Sequence, residues 1–176
     1  MVFGKGENGN FTRLYWAIRG HKFAYPGRKD TIKACIYVKE LVRFMMWAME
    51  VKSEERRVKK QSSAAEGKAN LNAGVEIFNC CFEPAYTIQH IVEAMKRVTG
   101  LTQWVQDVPN WVIMPMARLA MLMGSPMGIC PARVKKLQIS TNICGEKLKN
   151  CGYEFKWSFE EALADWFQDN DGKYLK

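Results

Sequence analysis

Histidine is nearly missing from this 176-residue chain, with two copies, and its six cysteines, at 35, 80, 81, 130, 144 and 151, include no Cys-x-x-Cys pair. Zinc sites draw on closely spaced Cys and His ligands, so this scarcity argues against a metal centre. Nothing at the N-terminus resembles a secretion signal, and thiols without a disulfide framework suit a reducing compartment, which points to the cytoplasm. Long apolar runs are missing too: the longest, Trp111 to Met123, covers 13 residues and contains Pro115 and Arg118. A helix needs roughly 20 apolar residues to cross a bilayer, so no membrane partner is expected. Acidic residues are in deficit, 18 Asp and Glu against 26 Lys and Arg, for a net charge of +8. No internal repeat is visible.

What is present centres on residues 23 to 51, which read as strand, turn, strand and long apolar helix. From Val38 to Val51 the only charged residues are Lys39, Glu40, Arg43 and Glu50. At about 100° per residue they fall on one stripe roughly a quarter-turn wide, and the rest of the helix is expected to be buried. A helix apolar on three sides needs cover from more than one direction, which suits a layered α/β body with one core. Arg19, Lys22, Arg28, Lys29, Lys33, Lys39 and Arg43 against Asp30 and Glu40 make the region 19 to 43 locally basic. Such a cluster suits an anionic ligand (phosphate, nucleotide or nucleic acid) and equally a solvated face.

Two formal motifs are weighed and set aside. Gly4-Lys5-Gly6-Glu7-Asn8-Gly9 matches the G-x-G-x-x-G spacing, and Asp30 stands about 20 residues on, but almost no strand precedes the glycines to deliver a pyrophosphate to a helix N-terminus. It reads as a glycine-rich surface loop. Tyr25 and Lys29 have the Y-x-x-x-K spacing, which pairs an acid/base Tyr with Lys only when both lie on one helical turn; Pro26-Gly27 between them predicts a turn instead.

The remaining elements follow from punctuation. Asn10 is a predicted N-cap for a helix through about Arg19, with Phe11, Leu14, Tyr15 and Ile18 on its buried face and Gly20 closing it. Residues 52–74 form a polar stretch without apolar periodicity and are predicted to be a surface loop; they also lack the aromatic interleaving of a nucleic-acid site, so nucleic acid is not the expected partner. Val75 to Cys81 reads as a strand, and Thr87 caps a helix with Ile88, Ile91, Val92, Met95 and Val98 on one face and His90 on the polar side. Residues 104 to 108 read as a short extended piece, and Pro109 opens an apolar helix over 110–123, whose methionines at helical spacing are assigned to the core. Asn142 and Gly152 bracket a short helix. Ser158 and Glu161 form a capping box for a last helix that buries Phe159, Ala162, Leu163, Trp166 and Phe167.

In this order the elements resemble the C-terminal half of the extended short-chain dehydrogenase/reductase family, the NAD(P)-dependent nucleotide-sugar epimerases and dehydratases. Val2-Phe3-Gly4-Lys5-Gly6 is similar to the family's V-[YF]-G-P-G, and Ile36-Tyr37-Val38-Lys39-Glu40-Leu41 to [FI]-[VI]-[YH]-V-x-D-[LV]. Glu76-Ile77-Phe78-Asn79 resembles x-[YF]-N, and Leu148 to Tyr153 with Ser158 to Glu161 resembles L-G-[YF]-x-P-x-x-[ST]-L-E-E. The resemblance implies an α/β fold with few short strands and several helices, forming the C-terminal substrate-binding part of such an enzyme across 1–176. It further implies a nucleotide-sugar partner, with Asn10 and Phe11 near the diphosphate, Ala24, Tyr25 and Pro26 lining the base pocket, and Lys33 and Arg133 on phosphate or ribose. Lys33 for the family's Arg gives a point charge in place of a fork, and Ala34 and Glu40 also depart from its pattern.

The family's glycine fingerprint, first βαβ units and helical Tyr-x-x-x-Lys would precede residue 1. The intact enzyme would use NAD(P), while this chain alone is expected to hold no cofactor, to lack catalytic residues and to self-associate through apolar surface that the other half would cover. The alternative is a non-enzymatic basic module binding RNA, acidic protein or a phosphorylated ligand.

Overall fold

The computed structural model describes residues 1–51, 77–122 and 131–176, apart from the side chains of residues 120, 121 and 133. The stretch 52–74 read as a surface loop lies outside the described residues. In chain order the first elements are β1 (Val2–Phe3), α1 (Asn10–Arg19), β2 (Ala24–Pro26), β3 (Ile32–Lys33), β4 (Ile36–Tyr37) and the helix α2 over residues 38–51. After the gap come β5 (Tyr86–Thr87), α3 (Ile88–Thr99), β6 (Gln106–Val108), α4 (Asn110–Leu122), α5 (Pro131–Gln138), α6 (Glu146–Asn150) and α7 (Phe159–Gln168). The architecture is therefore mixed α/β, with seven helices and a few short strands among the described residues.

The strands pair two by two: β1 with β4 and β2 with β6 in parallel, β3 with β5 antiparallel. The first pair sets Phe3 beside Tyr37, and the core grows around that point. Phe3 stacks on Phe11 of α1 at 4.7 Å and meets Tyr37 at 5.4 Å, Phe159 at 5.6 Å and Trp166 at 6.0 Å between ring centroids. Short strands suffice because these aromatic rings, rather than a wide ladder, hold α1, β1, β4 and α7 together. Gly4 follows at φ +145°, where an added Cβ would stand 2.3 Å from Val38 Cγ1; only glycine lets the chain leave β1 this close to α2.

Several helix ends match their sequence signals. Ser158 and Glu161 form the capping box of α7, and the Thr87 hydroxyl accepts from His90 N–H at the start of α3. Gly100 closes α3 in the left-handed region, and Gly20 closes α1. The α1 start differs: Asn10 is the first helical residue, Gly9 is the N-cap, and the Glu7 carboxylate accepts from Thr12 N–H at 2.9 Å. An acid two residues before the cap thus does the work expected of Asn10. The predicted strand over 75–81 begins outside the described residues, and 77–81 is irregular. No ladder forms there; Asn79 Nδ2 and Cys81 Sγ turn to the carbonyls of Cys144 and Ile143, and the next residue makes a single bond, Phe82 N–H to Cys35 O at 3.0 Å. His90 is half-buried, its ring stacked on Tyr86 at 4.7 Å.

The largest correction concerns α2. Its predicted polar stripe points inward at Glu40, which is fully buried, while Val42, Met45, Met46 and Met49 are 51%, 55%, 55% and 64% exposed. The inversion arises because the loop 153–157 approaches that side with donors that need a carboxylate. Lys156 N–H and Trp157 N–H donate to Glu40 Oε2 at 3.0 and 3.1 Å, and the Tyr153 hydroxyl donates to Oε1. On α4, Met116 is likewise exposed, contrary to a core assignment.

Lys39 ties α2 to α7 by ion pairs to Asp165 at 2.7 Å and Asp169 at 2.8 Å, and the Tyr37 hydroxyl donates to the same Asp165 oxygen at 2.6 Å. Burial pulls the Asp165 carboxyl upward, but the bonds from Lys39 and Tyr37 outweigh it and hold the group below its usual 3.8. The folded state therefore binds this proton less readily than the unfolded state, so the stabilisation is present at neutral pH and is lost as pH falls through and below 3.8. Asp165→Asn is expected to lower the urea midpoint at pH 7 and to lower it much less at pH 3. An equal loss at both values would assign the effect to packing rather than charge.

Candidate functional site

Three of the segments that carry predicted positions come together at one corner. Strand β2, with Ala24, Tyr25 and Pro26, and strand β3, with Lys33, are both fastened to helix α5, which carries Arg133. The Gln138 side-chain amide donates to Pro26 O at 2.9 Å and to Asn110 Oδ1 at 2.9 Å, joining β2 to the end of α5 and the start of α4. The Lys33 ammonium donates to Ile139 O at 2.7 Å and Lys136 O at 3.4 Å, the free carbonyls at the C-terminal end of α5. A cation there answers the negative end of the helix dipole. Lys33 is 7% exposed, and burial draws its pKa below the usual lysine value. Its charge is thus committed to holding α5. The Arg133 side chain lies outside the described residues.

Tyr25 is buried between Phe23, edge-on at 5.5 Å, and the rest of the core. Burial, with Glu93 and Asp107, pushes its hydroxyl up to about 12, so it stays protonated at neutral pH. Lys29 follows in the turn after β2, not on a helix, and its ammonium pairs with Asp107 at 2.5 Å, so the formal Y-x-x-x-K is not an acid/base pair. Asn10 is exposed and its amide reaches Met1 Sδ at 3.4 Å; the Met1 ammonium in turn donates to Ala34 O at 2.7 Å, beside Lys33. Phe11 lies apart from this corner, buried under Phe3 and Phe159, where it serves the core. The glycine loop 4–9 makes a turn around the chain's own groups: Glu7 occupies the N-terminus of α1, and Gly6 N–H donates to Lys176 O at 3.1 Å.

The local charge excess of 19 to 43 is largely answered in three dimensions. Arg28 forks onto Asp30, Lys29 meets Asp107, Lys39 meets Asp165 and Asp169, and Arg43 meets Glu40. What remains at this corner is a set of backbone groups, a buried tyrosine and a dipole-bound lysine. Sequence reasoning missed Gln138 and Asn110, whose only local sign is that both are polar residues at the ends of helices. It also missed one surface hollow of about 380 Å³ lined by Glu93, Lys96, Arg97, Gly100, Leu101 and Thr102, which involves none of the predicted residues. Among the described residues no cluster of three His, Cys, Asp or Glu is placed to hold a metal ion, and no helix is long and apolar enough to cross a membrane. No protein-family model matches the chain, and no curated protein is significantly similar to it.

Proposed function

We propose that this chain is the nucleotide-sugar-binding portion of an NAD(P)-dependent sugar epimerase or dehydratase. The observation that carries the reading is the corner itself: Ala24 to Pro26, Lys33 and the helix of Arg133 are more than 100 residues apart at the extremes, and side-chain bonds from Gln138 and Lys33 draw them into one place. The resemblance assigned the same segments to base and phosphate. In the intact enzyme NAD(P) would be held outside this chain and would supply hydride transfer at a sugar carbon. The part played by this chain is to bind and orient: Ala24 to Pro26 offers an apolar edge to the base, and Lys33 positions α5 so that Arg133 meets a phosphate. Asn10 sits on the Met1–Ala34 side of the same corner.

The test is a thermal-shift titration with a UDP- or dTDP-sugar, run beside RNA of equal phosphate content. The nucleotide sugar is expected to raise the melting temperature saturably and RNA to leave it unchanged. A shift with RNA alone, lost steeply with salt, would replace this reading with the basic-module one. Two substitutions separate the roles. Lys33→Met is expected to cost about 1–3 kcal/mol of stability in the free chain, by leaving the α5 carbonyls unanswered, and to weaken the ligand shift. Arg133→Ala is expected to remove most of the ligand shift at little cost to the free chain. NADH is expected to give no saturable fluorescence change with this chain at millimolar concentration.

A further inference from the structure

We propose that helix α4 is a membrane-contact element that lies in the headgroup layer of an anionic lipid bilayer, with the exposed lysines of α5 beside it. The inference goes beyond the nucleotide-sugar reading and does not depend on it.

The water-facing side of α4 is apolar. Trp111, Leu119 and Leu122 are 79%, 59% and 81% exposed, and Pro115 is exposed with them. At about 100° per residue these four fall within roughly 80° of arc, and the exposed Met116 borders them. The opposite side is the one that packs: Ala117 is fully buried there, and Asn110 at the helix start accepts from Gln138 of α5 at 2.9 Å. A contiguous stripe of one tryptophan, a proline and two leucines is a surface that contact with an apolar phase would cover.

Charge identifies the occupant. Between Asp107 and Glu146 the sequence has no acidic residue, while Arg118, Arg133, Lys135 and Lys136 all stand in that interval. Arg118 is exposed about 20° from Trp111 on the helix circumference, at the border of the apolar stripe. The bond from Gln138 to Asn110 brings the end of α5 to the Trp111 end of α4, and Lys135 and Lys136, both exposed, lie within one turn of Gln138. Among the described residues the charged groups of Arg118, Lys135 and Lys136 make no ion pair or hydrogen bond, whereas Lys39 and Arg43 are both held.

Uncommitted cations bordering a stripe of tryptophan and leucine match a surface that is anionic outside and apolar within, which a bilayer containing phosphatidylserine offers. Tryptophan suits that boundary because its ring is apolar and its N–H can reach headgroup oxygens, and arginine extends its charge outward from an apolar surface. A second copy of this chain matches poorly: pairing the same faces would set cation against cation, with no carboxylate in the stretch to answer them. A nucleic acid would take the cations but leave Leu119 and Leu122 in water. The expectation of no membrane partner rests on the length needed to cross a bilayer; a helix lying in the interface needs one apolar face.

Flotation of the whole 176-residue chain with lipid vesicles tests this. Binding is expected to vesicles of phosphatidylcholine with phosphatidylserine, and at least roughly tenfold weaker binding to phosphatidylcholine alone. Leu119→Glu with Leu122→Glu is expected to abolish flotation with the far-UV circular dichroism unchanged. Arg118→Gln with Lys135→Gln and Lys136→Gln is expected to weaken binding to the anionic vesicles at least roughly tenfold. A chain that stays unbound with anionic vesicles overturns the proposal, as does flotation indifferent to both sets of substitutions. Sedimentation velocity without lipid addresses the other occupant: a dimer lost in Leu119→Glu/Leu122→Glu, with no flotation of the unsubstituted chain, would make the face a pairing surface. Should the glutamate variant not fold, Trp111→Phe is compared with the unsubstituted chain on anionic vesicles carrying brominated acyl chains. Quenching of tryptophan emission is expected, and less of it in Trp111→Phe; equal quenching in both overturns the placement of α4 in the bilayer.

Discussion

Replacing Glu40 with alanine is expected to lower the folding free energy by about 3–5 kcal/mol, the range for removing one partner from a buried charged network. The carboxylate is fully buried and accepts from Lys156 N–H, Trp157 N–H, the Tyr153 hydroxyl and Arg43 Nη1, the last at 3.3 Å. Alanine would leave two backbone donors without an acceptor and strip the loop 153–157 of what holds it to α2. The Tyr153 phenol, pushed up by burial and by the Glu40 carboxylate, should then titrate closer to an ordinary tyrosine. Glu40→Gln keeps the shape and one acceptor but turns an NH₂ toward donors, so an intermediate loss of roughly 2 kcal/mol is expected. Urea unfolding followed by far-UV circular dichroism measures both. A loss under about 1 kcal/mol for the alanine variant would mean that water or other groups take over the four donors.

Phe3→Ala is expected to cost a similar amount, about 3–5 kcal/mol, for a different reason. Phe3 is fully buried at the point where β1, α1, β4 and α7 meet, with Phe11, Tyr37, Phe159 and Trp166 around it. No single neighbour can move in to fill the space without leaving its own contacts, so the penalty includes a cavity as well as lost transfer energy. The adjacent Val2 makes the control. Its side chain points away from the core and is exposed, so Val2→Ala is expected to stay within about 0.5 kcal/mol. If the two substitutions cost the same, the aromatic cluster around Phe3 is not the centre of the core.

What could be read without the fold was whatever is settled within a turn or two of chain. The Ser158–Glu161 box, the Thr87 cap, the glycine that closes α1, and the apolar periodicity of α3 and α7 involve groups three or four residues apart, and they appear where expected. The coarse class, several helices with a few short strands, follows from the same signals. The candidate site was legible only as a set of positions; nothing in the residues around Lys33 says that its ammonium will meet carbonyls at 136 and 139.

Tertiary structure alone decided which side of α2 is wet. By composition, Glu40 belongs with Lys39 and Arg43 on a solvated stripe; a loop 113 residues or more away brings the Tyr153 hydroxyl and two backbone N–H groups to it, and Glu40 is buried while Arg43 stays exposed. The same holds for the basic cluster, whose excess was counted over a window that excluded Asp107, Asp165 and Asp169. Local pattern reports the free-energy preference of a short segment for water or for its own backbone. Burial of a charge is decided by which donors arrive from elsewhere, because in a low-dielectric interior a matched carboxylate is held and an unmatched one is expelled.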